Sequence, residues 1–79
     1  MQIDARGKHD PQPVLIAAET LATMTEGVIE VLVDNVESSL NLREYAVQRG
    51  MGVVQVREGR DWKIRITKGR NGVSRNAAQ

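Results

Sequence analysis

The sequence predicts an α/β (α+β) fold: a two-layer βαβαββ sandwich in which a four-stranded mixed sheet carries two helices on one face. Three observations predict it. Two segments repeat apolar residues at helical spacing and are each closed by a glycine. Four segments are rich in β-branched residues or alternate apolar with polar. The 79 residues leave room for one small core. Two helices can cover only one face of such a sheet, so the other is expected to stay open.

Residues 2–4 read as a short edge strand, and Ala5 to His9 lead from it into the first helix. Asp10 followed by Pro11 reads as an N-cap and N1 pair, because a carboxylate accepts orphan N–H bonds and proline lacks the donor that would go unused. Over 11–25, Val14, Ala17, Ala18, Leu21 and Met24 mark the buried stripe, and Ile16 falls on the opposite side. Gly27 suits the left-handed position that ends the helix.

Residues 28–34 form the central strand, with Ile29, Val31 and Val33 on one face and Val28, Glu30 and Leu32 on the other. Asp34-Asn35 supplies turn and capping groups for a helix over 36–49, which Gly50 stops. On that helix Ser39, Leu42, Ala46 and Arg49 form one line with Tyr45 beside it, and Val36, Leu40 and Val47 form a second. The second line reads either as packing at the seam between the helices or as a partner or dimer surface. Strands over 52–57 and 61–68 are joined by Glu58-Gly59-Arg60, read as a three-residue hairpin loop. Trp62, Ile64 and Ile66 alternate with Lys63, Arg65 and Thr67, giving one buried and one basic face. From Gly69 to Gln79 periodicity vanishes, which predicts a disordered tail after a domain spanning 1–68.

The net charge of +1 hides a polarised layout. Up to Val56 there are eight acids against four bases, and from Arg57 onward seven bases against two acids. The basic C-terminal third, with Lys63, Arg65, Lys68 and Arg70, is a candidate seat for nucleic acid. Trp62 and Tyr45 fit core faces better than base-stacking platforms. Cysteine is absent, which excludes disulfides, thiolate metal sites and thiol chemistry on these residues. His9 beside Asp10 is a poor metal pair, since adjacent residues rarely present both side chains to one ion, so neither metal nor cofactor is expected. No leading basic and apolar run resembles a signal peptide, and no apolar stretch approaches the ~20 residues of a membrane span, so a cytoplasmic protein without membrane contact is expected.

Several segments together resemble the TusA/SirA family of sulfur carriers, including its YedF branch from selenium metabolism. Ile3-Asp4-Ala5-Arg6-Gly7 looks like the family's opening. Asp10-Pro11-Gln12-Pro13 stands where the family carries Cys-Pro-x-Pro, and Val14-Leu15 continue that signature. Glu30-Val31-Leu32-Val33-Asp34-Asn35 resembles its central strand and turn, and Asn41-Leu42, Tyr45-Ala46 and Gly50 fit its second helix. The resemblance implies the βαβαββ sandwich also seen in the C-terminal domain of a bacterial translation initiation factor. It also implies sulfur handling, in which a cysteine at the first helix's N-terminus receives sulfane sulfur from a cysteine desulfurase. The helix dipole and free N–H groups there favour a thiolate or persulfide anion.

Three adjacent residues depart from the pattern: Lys8 for a common Leu, His9 for a small residue or Pro, and Asp10 for Cys. Three in a row fit a lineage that lost the thiol, or a redesigned loop, better than a single knock-out. The motif positions are then Gly7, Asp10, Pro11 and Pro13, with no catalytic residue. Asp10 reads as a plain N-cap or as a carboxylate mimic of the loaded persulfide. Lys8, His9, Ile16, Leu40 and Val47 are the candidate partner-binding residues, for a relay protein such as a cysteine desulfurase. A monomer or weak dimer is expected, and a longer parent chain is a further reading, since YedF-like proteins carry another domain.

Overall fold

The computed structural model describes residues 1–69, so the expected disordered tail lies, beyond Gly69, outside the described residues. The elements run β1 (Gln2–Asp4), α1 (Gln12–Ala22), β2 (Gly27–Val33), α2 (Val36–Gln48), β3 (Gly52–Glu58) and β4 (Asp61–Lys68). The sheet order is β1-β2-β4-β3. β1 pairs parallel to β2, as a strand–helix–strand crossover requires, while β4 pairs antiparallel with both β2 and β3. This is the expected mixed sheet.

One core holds the layers together. Ile29, Val31 and Val33 of β2 and Ile64 and Ile66 of β4 point to one face, where Ala17 and Leu21 of α1 and Leu42 and Ala46 of α2 cover them. Both helices therefore lie on that face. Tyr45 and Trp62, half-buried, pack against its rim. The opposite face exposes Val28, Val54 and Val56.

Three local readings need correction. First, Glu58 pairs with Asp61, so the hairpin loop is the two residues Gly59-Arg60. Gly59 sits at φ +62°, and a two-residue turn with positive φ matches the right-handed strand twist that a longer loop would not need. Second, α1 ends at Ala22, and Gly27 is the first residue of β2 rather than a helix stop. Thr23 is the C-cap, its N–H and hydroxyl bonding the Thr20 carbonyl, and the Lys68 ammonium reinforces that end by donating to the carbonyls of Leu21 and Met24 at 2.7 Å each. Replacing Lys68 with Met should lower unfolding free energy by about 2 kcal/mol in urea titration, because those carbonyls lose a charged donor. Third, Val36, Leu40 and Val47 are 54%, 52% and 55% exposed, which removes the seam packing reading. A rotation of ~100° per residue puts them roughly 120–160° from Leu42, facing away from the sheet.

The second helix is bounded as its sequence suggests. Asn35 caps it by accepting the Ser38 N–H at 2.8 Å. At the other end the Gly50 N–H bonds to the Val47 carbonyl and the Met51 N–H to that of Ala46, a Schellman pattern with Gly50 at φ +73°.

Candidate functional site at the mouth of the first helix

Because β1 and β2 are parallel and each is followed by a helix, their C-terminal ends deliver two loops and two helix N-termini to one end of the sheet. The Ala5 N–H bonds to the Leu32 carbonyl at 2.8 Å, anchoring the first loop to β2. Gly7 then turns at φ +79° and donates its N–H to Asp34 Oδ2 at 2.8 Å, while Asn35 Nδ2 donates to Asp34 Oδ1 at 3.2 Å. Asp34 thus ties the loop before α1 to the turn before α2. Its pKa is lowered, first by the Gly7 N–H and then by the Asn35 amide.

Arg6 grips Asp4 with two nitrogens, at 3.0 and 2.9 Å, and reaches Asp61 Oδ2 at 3.2 Å. The Arg6 guanidinium, aided by its backbone N–H, holds Asp4 down at about 2, and Arg6 is itself raised. On the open face Arg65 likewise lowers Glu30. All three carboxyls are depressed in the folded state, so the stability they contribute is present above their ordinary values near 4 and lost as pH falls through the folded ones. Urea midpoints should therefore hold between pH 7 and 5 and fall between about pH 4 and 2. Asp34→Asn should shrink that fall.

Asp10 lies at the end of this loop, exposed, one residue before the N-cap of α1. It is not the N-cap. That position belongs to Pro11, and no side chain caps the helix. The reason lies in the donors: Pro11 and Pro13 have none, the Gln12 N–H bonds to the His9 carbonyl at 2.8 Å, and the Leu15 N–H bonds to the Pro11 carbonyl at 3.0 Å. With its own first turn largely served, the Asp10 carboxylate turns to the other helix and accepts from Asn41 Nδ2 at 2.7 Å. Asn41 was legible as part of the Asn41-Leu42 resemblance in the second helix, but nothing local tied its amide to Asp10.

Lys8 and His9 are exposed beside Asp10, and no His/Asp/Glu group among the described residues could hold a metal ion. Ile16 is half-buried, and Leu15, 55% exposed, is the apolar residue that α1 turns outward. Counting from buried Ala17, rotation of ~100° per residue leaves Ile16 on the flank and puts Leu15 nearly opposite. Leu40 and Val47 are exposed on α2.

The basic strand bears few idle charges. Lys63 pairs with Glu58 at 3.0 Å, Arg65 with Glu30 at 2.9 Å, and Lys68 reinforces the end of α1. Arg70 lies outside the described residues. Trp62 and Tyr45 have arginines over their rings, Arg57 and Arg49, each 5.0 Å from the centroid. Phosphates would have to displace these partners. No helix among the described residues is long and apolar enough to cross a membrane.

Comparison with known proteins places this geometry. The family described as Sulfurtransferase TusA matches residues 1–68. A candidate sulfur carrier protein of Archaeoglobus fulgidus is 32% identical over 68 residues, covering 84% of this chain and 93% of that protein. The crystal structure of a SirA-like protein from Desulfitobacterium hafniense superposes with a TM-score of 0.82 at 33% identity, covering 87% of this chain and 97% of that one.

Proposed function

Because the chain belongs to the TusA sulfurtransferase family, we propose that it is a docking module of sulfur or selenium metabolism that binds a relay partner without transferring sulfur. Asp10 occupies the seat that a sulfur-loading cysteine holds in the family. One observation carries this reading: the 79 residues contain no cysteine, and the matching place at the mouth of α1 presents an exposed carboxylate. Loading needs a thiolate that attacks the outer sulfur of a donor persulfide. One S–S bond forms as the donor's own breaks, and the donor thiolate leaves. A carboxylate offers no such nucleophilic sulfur. It does offer fixed negative charge near a helix N-terminus, which is the charge of a loaded persulfide.

The partner this surface suits is a cysteine desulfurase or another protein that recognises a loaded carrier. Lys8, His9 and Asp10 supply its polar contacts, and Leu15, Leu40 and Val47 its apolar ones. The test uses purified desulfurase, cysteine and pyridoxal phosphate, read by intact-protein mass spectrometry and by binding. The native chain should bind the desulfurase and gain no mass, whereas Asp10→Cys should gain one sulfur atom. Sulfur on the native chain, or none on Asp10→Cys, would overturn the reading.

A further inference from the structure

We propose that Asn41 is the residue through which the second helix holds whatever anion stands at position 10: the Asp10 carboxylate in this chain, and a thiolate or persulfide where cysteine stands there. This rests on the reading of position 10 given above. The hydrogen bond from Asn41 Nδ2 to Asp10 Oδ1, 2.7 Å long, spans 31 residues of sequence and ties the loop before α1 to α2. Among the described residues it is the side-chain donor that reaches Asp10, and the second carboxylate oxygen has no partner there.

Stability does not account for Asn41. The bond is exposed, so it exchanges with water at little net gain. Asparagine also lies inside α2, where a straight-chain residue would favour the helix more. What the amide supplies is direction without charge. A lysine there would neutralise the anion, whereas a neutral donor fixes one oxygen and leaves the net charge for a docking partner to read. The helix mouth has few other donors to offer, since Pro11 and Pro13 lack N–H groups and the Gln12 N–H is committed to His9. The side-chain contact that position 10 does receive comes from the neighbouring helix.

The chain's lack of cysteine makes the test clean, because a thiol introduced at position 10 is the sole thiol in the molecule. Thiolate absorbance against pH is measured for Asp10→Cys alone, with Asn41→Leu and with Asn41→Asp, and the persulfide lifetime is followed after loading by a desulfurase. Asn41→Leu should lower the thiolate fraction at neutral pH by about twofold to threefold, the small net worth of one exposed hydrogen bond to the anion. Asn41→Asp should lower it further, because a second anion then faces the first. Persulfide lifetime should follow the same order. A residue that merely supported the helix would not produce this ranking, and a urea titration of each variant confirms that the fold persists. If Asn41→Leu unfolds the chain, Asn41→Ser provides the donor-shortened variant. Equal thiolate titrations across the series would overturn the role of Asn41. An Asp10→Cys chain whose thiol responds to Asn41 but takes up no sulfur leaves that role standing and removes the sulfur-carrier reading of position 10 instead.

Discussion

Truncating Leu42 to alanine should destabilise the fold by about 3 kcal/mol, the midrange for a fully buried leucine. Leu42 is 0% exposed and packs in the one core that joins both helices to β2 and β4. The cavity it leaves would lie between α2 and the sheet, where Ile64, Ile66 and Val31 are already fully enclosed and side chains are short of room to collapse inward. A domain of this size is typically stable by only ~4–12 kcal/mol, so the loss should be plain as a fall in both the urea midpoint and the melting temperature. Leu40→Ala, two residues earlier on the same helix, supplies the contrast. That side chain is 52% exposed, and its removal should change stability by no more than about 0.5 kcal/mol. On the docking role proposed above it should nonetheless weaken binding to a desulfurase, since the leucine is exposed beside Asn41. Unfolding and binding measured on both variants separate the two duties of α2.

The contrast also shows which parts of the molecule could be read from residues alone. Period-two alternation put Ile29, Val31 and Val33 on one face of their strand and Ile64 and Ile66 on one face of theirs, and the structure pairs those two faces in the core. The helices were legible for the same reason, and Gly50 for its left-handed backbone. What failed was settled by contacts far apart in sequence. The end of α1 is reinforced by Lys68, 47 residues from Leu21, and no local signal announces that a lysine ammonium will serve two carbonyls. The family was legible in its resemblance and the missing thiol in the composition, yet the partner of Asp10 was not. Local reasoning gave the carboxylate to its own helix, by the ordinary preference for aspartate at N-caps. Two prolines had already removed the donors that make such a cap worthwhile, and the carboxylate went to Asn41. The exposed row of Val36, Leu40 and Val47 was visible as a pattern, but whether it faced a helix or water depended on where α1 lay.

Gly27 should tolerate no side chain: Gly27→Val is expected to cost about 3 kcal/mol, and Gly27→Ala about 2. Gly27 opens β2 at φ +143°, a backbone region open to glycine and strained for a β-branched residue. A Cβ built there would lie 2.6 Å from Met24 Cε. The methionine tip can swing aside, so the backbone angle sets most of the cost and steric contact the lesser part. The position matters beyond its own strain. Gly27 pairs with Lys68 across the sheet, and Lys68 in turn holds the carbonyls of Leu21, in the last turn of α1, and of Met24 just beyond it. A backbone shift at Gly27 therefore tugs at the charged group that reinforces the end of the first helix. Gly27→Ala and Lys68→Met should then combine to less than the sum of their separate effects, because each loosens the same joint between α1, β2 and β4. A double-mutant cycle in urea gives that coupling directly. Strict additivity would show that the glycine and the lysine act independently, and would leave the backbone angle as the whole reason for glycine at the start of the central strand.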